Sequence, residues 1–356
     1  MSDNRRYYNN QKRKSRIRKR VLIWVLLPIM LLALSATAYG AYLYNKASSA
    51  IEDSYKPIKR ETNRASAAKP EVDNISLLII GVDDSSERGF SNSARSDALL
   101  VATFNKTSKS IKLLSIPRDS YVHIPKLGYE DKITHAHAHG GPLTTIETVE
   151  NLLDIPIDYY VKLNFNAFID IVDALDGIEV DVPFKFSEQN SSDVANAITL
   201  LPGEQILDGE EALALARTRK LDNDIERGKR QQEILKAIIK RSLSAGSITK
   251  YGDVIDAVGN NMETDLSFEQ MKSFMDYVSG GTSLNIDNLN LAGADMYLPN
   301  SSGINVYYYQ LNEEKLEEVK TEMKNHLNSN TINTEKNTID DPDQENGQTD
   351  SEDSQN

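Results

Sequence analysis

Apolar positions along this chain fall into three patterns. The first is an unbroken run at 21–34 that stays uncharged to about Tyr44. The second is a set of short, β-branched, near-continuous runs. Residues 74–82 (Asn-Ile-Ser-Leu-Leu-Ile-Ile-Gly-Val), 98–104 and 111–116 read as buried strands, and a turn at 106–108 makes the last two a hairpin. Further strands are expected at 158–165, 178–182, 289–292 and 306–310. The third pattern has helical spacing, at 142–153, 167–175, 208–216, 224 to about 244, 247–260, 267–279 and 312–327. Residues 131–141 read as a loop leading into the first of these helices. Strands alternating with helices predict an α/β class: a layered α/β/α domain with a central mixed sheet over 74–327. There is no internal repeat.

Charge changes the picture at the two ends. Residues 1–20 carry nine Lys/Arg against the single Asp3 and read as a basic cytoplasmic tail. The run at 21–44 is long enough to span a bilayer as one helix, and Pro28 is tolerable there. A basic flank keeps the N-terminus inside, which predicts a single-pass type II protein of the cell membrane with everything after Lys46 outside. Ala36-Thr37-Ala38 resembles a signal-peptide cleavage site, but the run is long for a signal peptide, and an anchor is the preferred reading. Residues 45–73 are polar and read as an extracytoplasmic stalk; residues 328–356 are acidic, poor in apolar residues, and expected to be disordered. With no cysteine among 356 residues, an outer domain must rely on its core, which suits a bacterial surface without an oxidising periplasm.

The candidate chemistry is concentrated in Arg217 to Gln232, an arginine-dense stretch in a chain of net charge −13. Arg217 and Arg219 fall at or just beyond the end of one predicted helix. Asp224 is a plausible N-cap of the next, on which Arg227 and Gln231, four apart, share a face. Guanidinium grips phosphate oxygens bidentately and stays charged when dried, so this set could converge on one anion; a solvated, salt-bridged helix face is the bland alternative. Asp83, Asp97 and Arg118 are predicted near strand ends, where α/β folds keep their chemistry. The two aspartates either cap turns or hold magnesium, which takes one or two carboxylates plus water and phosphate oxygens. That inventory matches phosphoryl transfer, with a carboxylate to orient or deprotonate the attacking hydroxyl. Other chemistries fit less well. His135, His137 and His139 alternate, but no standard zinc ligand set completes them, and no Gly-x-Ser-x-Gly elbow, Walker loop or dinucleotide fingerprint is present. No DNA-binding motif is present, and nucleic acid is not an expected partner.

Taken together, Leu77-Leu78-Ile79-Ile80-Gly81-Val82-Asp83, Arg95-Ser96-Asp97, Ser115-Ile116-Pro117-Arg118-Asp119, Lys132-Ile133, and Arg217-Thr218-Arg219 followed by Asp224, Arg227 and Arg230-Gln231-Gln232 resemble the LytR-CpsA-Psr family, in the family's order and over about 74–327. Thr134 departs from the family, which more usually has Asn there. The resemblance implies a phosphotransferase of Gram-positive-type bacteria. Such an enzyme moves an anionic glycopolymer, wall teichoic acid or capsule, from a polyprenyl-pyrophosphate carrier onto a muramic acid hydroxyl of peptidoglycan as a phosphodiester, and polyprenyl phosphate leaves. It further implies an apolar tunnel for the prenyl chain between sheet and helices. Arg95, Arg118, Lys132, Arg217, Arg219, Arg227 and Gln231 are expected at the pyrophosphate, and Asp97, Arg118, Arg219, Asp224 and Arg227 in catalysis. Asp83 and Asp97 are expected to hold Mg2+, with Mn2+ as a substitute, and Asp97 alternatively orients the acceptor hydroxyl. Two other functions use the same groups: a pyrophosphatase that accepts water, and a non-enzymatic protein that binds polyprenyl-linked glycans.

Overall fold

The structure, a computed structural model, describes residues 37–336 apart from short gaps, the longest at 61–67, 84–93, 244–252, 255–260 and 274–283. In chain order the strands and helices that build the fold are β1 (Ile75–Val82), β2 (Ser96–Asn105), β3 (Ser110–Ser115), β4 (Tyr121–Ile124), β5 (Tyr129–Lys132), α1 (Thr134–Leu153), β6 (Tyr159–Asn164), α2 (Phe165–Ala174), β7 (Ile178–Val182), β8 (Phe186–Glu188) and β9 (Ile198–Leu200). There follow β10 (Gly203–Leu207), α3 (Gly209–Arg217), α4 (Asp224–Ser242), β11 (Met262–Thr264), β12 (Asn285–Asn290), β13 (Gly293–Pro299), β14 (Asn305–Leu311) and α5 (Glu313–Lys336).

β1 sits inside a six-stranded sheet of order β11-β6-β1-β2-β3-β12. It pairs parallel with β6 and antiparallel with β2, and β3 pairs parallel with β12, so the sheet is mixed, as expected. Because successive side chains point to opposite faces, Leu78, Ile80 and Val82 enter one core while Ile75, Leu77 and Ile79 enter another. The first face is covered by α1 through Ile146, Val149 and Leu153 and by α5 through Val319, Met323 and Leu327. The second is covered in part by α4 through Leu235 and Ile239. A separate core of Val172, Ile178, Leu207, Ala212, Leu215 and Ile234 joins α2, α3 and α4 to the β7–β10 ribbon. The α/β/α layering follows from these three clusters.

Several expectations need correction. Residues 131–141 are not a loop: Asp131 and Lys132 end a β4–β5 hairpin, and Thr134 opens α1. The helix is broken at Gly140 and Gly141, where Gly141 has φ 63°, and it resumes at Pro142, the one place in it where proline's missing N–H costs little. His135, His137 and His139 therefore lie on a helix rather than on a loop. His135 bonds Asp131 at 2.8 Å, and buried His137 bonds the carbonyl of Ala94 at 2.7 Å. The short or polar strands β4, β5, β8, β9, β10, β11 and β13 were not anticipated, and the strand expected at 289–292 is β12, which starts at Asn285 and ends at Asn290. The closing helix runs on to Lys336, so 328–336 of the expected disordered tail are helical, there being no glycine or proline to stop it; 337–356 lie outside the described residues. The expected helices at 247–260 and 267–279 fall mostly outside them too.

The stalk is less of a spacer than expected. Lys56 N donates to the carbonyl of Thr264 at 2.7 Å, and Tyr160 Oη donates to the carbonyl of Lys56 at 2.9 Å. Arg60 Nη2 donates to the carbonyls of Ile157 (2.6 Å) and Asp158 (3.0 Å), and its guanidinium lies 3.6 Å from Glu150 and 3.8 Å from Asp265. Burial raises the Asp265 carboxyl to about 6 in spite of Arg60. The basic tail and the apolar run up to residue 36 lie outside the described residues; among the described residues no helix is long and apolar enough to cross a membrane.

Candidate active site

A cavity of about 340 Å³ lies between the second face of the sheet and its helical cover. Its walls are Ile79, Leu100 and Leu163 from the sheet, Phe168 and Ile171 from α2, Leu213 from α3, and Ile234, Leu235 and Ile238 from α4. It exists because α2 and α3 pack into their own core with the β7–β10 ribbon instead of onto the sheet, so two apolar surfaces face each other without meeting. The tunnel that the family resemblance implied thus has a counterpart here.

The polar residues on the same cavity are Asp83, Asp97, Asn164, Arg118, Arg217, Arg219, Arg227 and Gln231. Four arginines face two aspartates, an excess of positive charge suited to an anion. Each arrives from a different element. Asp97 is the extra residue of a β-bulge: Gly81 pairs with Ala98 and Val82 with Ser96, leaving Asp97 without a partner across the ladder. That irregularity lets both Asp97 and its neighbour Ala98 line the cavity, which regular alternation forbids. Arg118 lies in the turn after β3 and donates through Nη1 to Asp97 Oδ1. The turn is held by Ser120 Oγ donating to the carbonyl of Pro117 at 2.7 Å, and by Thr134 N donating to the carbonyl of Arg118 at 3.1 Å.

Arg227 is the anchored member of the cluster, its side chain only 6% exposed and its Nη1 3.1 Å from Asp224 Oδ1. Burial, reinforced by the charges of Arg219 and Arg118, lowers the guanidinium to about 10 against the pull of Asp224, which leaves it protonated at neutral pH. Arg219, 3.6 Å from the same carboxylate, is 43% exposed and marks the open end. Arg217 stacks on Phe165 at 4.8 Å, and Gln231 Nε2 donates to the carbonyl of Ala216 at 3.3 Å. Asn223, not Asp224, caps α4: its side chain accepts from Ile225 N and Glu226 N, both at 3.1 Å. Asp224 instead occupies the first turn, where it holds Arg227 and Arg219.

Other residues of the predicted set stand apart. Arg95 is exposed and is not a wall of the cavity. Lys132 is not a wall of the cavity either; its Nζ lies 2.8 Å from Asp119 Oδ1. Arg230 and Gln232 of the same motif are structural: Arg230 donates to the carbonyls of Leu215 (3.2 Å) and Thr218 (2.6 Å), and Gln232 to those of Leu113 (3.1 Å) and Leu289 (2.8 Å). Asp119 was overlooked although it stands in the Pro117-Arg118-Asp119 run. Burial acts to raise its carboxyl, but the hydrogen bond and charge of Lys132, with the charge of Arg118, hold it below the usual range. It therefore stays ionised and ties Lys132 to the arginine cluster, with Arg118 Nε 3.6 Å away.

An α/β domain whose apolar cavity carries four arginines on its lining has the form of a receptor for an amphiphile with an anionic head. Comparison with known proteins narrows this class. The profile of the LytR_cpsA_psr family matches residues 41–325. The polyisoprenyl-teichoic acid–peptidoglycan teichoic acid transferase TagT of Bacillus subtilis (strain 168) is 41% identical over 324 residues, covering 89% of this chain and 98% of that protein. A solved structure of TagT bound to LIIa-WTA superposes with TM-score 0.62 at 41% identity, over 75% of this chain and 96% of that one. TagT with bound octaprenyl pyrophosphate lipid gives 0.59 at 38% identity, over 77% and 99%. The chain belongs to the LytR-CpsA-Psr family.

Proposed function

We propose that the protein is a phosphotransferase that moves an anionic glycopolymer of the wall teichoic acid class from polyprenyl pyrophosphate to peptidoglycan. The observation that carries this reading is the apolar cavity with four arginines and a bulge-presented aspartate at its open end; the relatives named as teichoic acid transferases support it. The cavity takes the prenyl chain, and Arg118, Arg217, Arg219 and Arg227 grip the pyrophosphate. Attack by a muramic acid hydroxyl on the glycan-linked phosphorus forms one P–O bond and breaks the bridging P–O bond. A phosphodiester remains, and polyprenyl phosphate leaves. Asp97 takes the hydroxyl proton, and the arginines meet the charge that grows on the leaving phosphate.

Asp83 and Asp97 both face the cavity and fit a magnesium ion, or manganese in its place, since such an ion needs only one or two carboxylates when phosphate and water complete its shell. When bound, the ion neutralises phosphate charge. Base and metal ligand are both carboxylate tasks. Loss of turnover in Asp97→Asn with unchanged metal affinity assigns the base, and turnover that survives exhaustive chelation removes the metal. The run at 21–44 would place the domain outside the cell on one helix; full protection of the domain from protease added to protoplasts rules that topology out.

The deciding experiment gives the purified protein a polyprenyl-pyrophosphate-linked glycan, magnesium and uncrosslinked peptidoglycan oligomer. Mass spectrometry is expected to find glycan phosphate joined to the oligomer. Free glycan phosphate alone makes the protein a hydrolase, and an intact bound donor makes it a carrier-binding protein.

A further inference from the structure

Outside the cavity, the conspicuous feature is a tyrosine-rich hairpin, β13–β14, fastened to the loop that carries Arg118. Tyr309 N donates to the carbonyl of Asp119 at 2.8 Å, Ser120 and Tyr309 form an isolated bridge, and Tyr309 and Leu311 are buried in the core. The hairpin is therefore rigidly placed beside the site. Tyr297 and Tyr307 face each other across it, with ring centroids 5.6 Å apart and planes at 64°. Tyr297 is 61% exposed, so among the described residues much of its surface is open. Tyr307 Oη donates to Asp295 Oδ1 at 3.0 Å, and Asp295 is itself exposed. Lys132 Nζ lies 5.7 Å from the Tyr307 ring and 5.6 Å from that of Tyr308. Through Lys132 the hairpin is continuous with Asp119, Arg118 and Asp97.

We propose that Tyr297, Tyr307 and Asp295 form a saccharide subsite that seats an uncharged N-acetylhexosamine of the acceptor glycan strand beside the reacting phosphate. This rests on the transfer reading above. A pyranose ring has an apolar C–H face and a hydroxylated edge. The exposed ring of Tyr297 offers a flat surface for the first, with Tyr307 standing at 64° to it as a side wall, and a carboxylate with lone pairs to spare accepts from the second. Burial, then the hydrogen bond and charge of Asp295, then the charges of Asp224 and Asp119, push the Tyr307 phenol up, so it remains a neutral donor. Charge sorts the two substrates. The donor polymer is polyanionic and is drawn to the arginines, whereas the carboxylate of Asp295 repels it and leaves the hairpin to a neutral sugar.

The test measures equilibrium binding of an uncrosslinked peptidoglycan oligosaccharide to the full chain, without donor, and separately measures transfer. Tyr297→Ala is expected to weaken oligosaccharide binding about tenfold, the loss of one stacked ring, and to raise the acceptor KM alike. Tyr297→Phe should bind as wild type, and Asp295→Asn should weaken binding. Affinity for octaprenyl pyrophosphate should not change in any of them, which also shows that the variants are folded. Wild-type oligosaccharide affinity in Tyr297→Ala, absence of oligosaccharide binding by the wild type, or an equal loss of octaprenyl pyrophosphate binding overturns the proposal. A wild type that binds the oligosaccharide at Tyr297 yet transfers nothing leaves the subsite standing and defeats the transfer reading instead.

Discussion

Arg227 and Arg219 share one carboxylate, Asp224, but differ in freedom: the first is buried and the second 43% exposed. A lysine in place of Arg227 would lose the second arm of the fork and would titrate more readily in a site that already depresses a guanidinium. Turnover of Arg227→Lys should fall by about 10²-fold, and that of Arg219→Lys by less, because an exposed lysine can still reach an anion as a point charge. Equal losses would deny the burial its role. His326 gives a pH dependence of different origin. Its two ring nitrogens are each 2.8 Å from a hydroxyl, of Thr103 and Ser110, and burial followed by the charge of Lys112 lowers the imidazole to about 4. The unfolded chain takes up this proton first, so the stability His326 contributes is full above about 6.5 and is lost as pH falls towards about 4. Urea melts at pH 7 and pH 4 should show the advantage of wild type over His326→Gln shrinking by up to about 3 kcal/mol. An advantage independent of pH would show that the imidazole is not held neutral. Residue types were legible in the sequence; their environments were not. The four-residue spacing from Arg227 put Gln231 on the face that lines the cavity, but nothing in the order Arg230-Gln231-Gln232 tells that the first and third are buried on backbone carbonyls away from it.

At the scale of elements, the strong periodic signals were reliable. β1, β2, β3, α2, α3 and α4 stand within a residue or two of where their apolar spacing puts them, because burying an apolar face is what stabilises each one. Asp208 closes a full capping box on Glu211, which fixes the start of α3 and so the place where Arg217 emerges. Weak signals failed: β4, β5, β8, β9, β10 and β13 are short or polar and owe their pairing to the hairpins that bring them together. The seat of α4 depends on close approach. A Cβ on Gly228 would lie 2.6 Å from Ser115 Oγ and 3.0 Å from Ser115 Cβ. Gly228→Ala should therefore push the helix off β3, destabilise the domain by about 1–3 kcal/mol and displace Arg227 one position away. Ser115→Gly in the same chain should restore most of the loss, as a double-mutant cycle on thermal melts would read. Additive effects would show that the helix and strand do not meet there.

In the whole molecule, the separation of two cores creates the cavity, and its depth should set the prenyl length that can be held. Ile238 lines it from α4, about three turns beyond Arg227. Ile238→Trp should lower affinity for octaprenyl pyrophosphate about 1,000-fold, since expelling a single five-carbon unit forfeits about 0.8 kcal/mol per carbon. Geranyl pyrophosphate, with less chain to seat, should bind nearly as before; an equal loss for both lipids would place the chain elsewhere. What the sequence by itself determined was the layered α/β architecture, the motifs that mark the family, and the gathering of arginines near one sheet end. Those follow from local periodicity and residue chemistry, which a linear chain displays. Tertiary structure alone decided that Asp97 is turned inward by a bulge, that Arg60 fastens the supposed stalk to the body, and that a polar hairpin brings Tyr307 beside Lys132 and Tyr309 onto Asp119. Each of these is a contact between residues far apart in the chain. Its energy depends on register and packing across the gap, and neither quantity is written in the spacing of residues along one strand or helix.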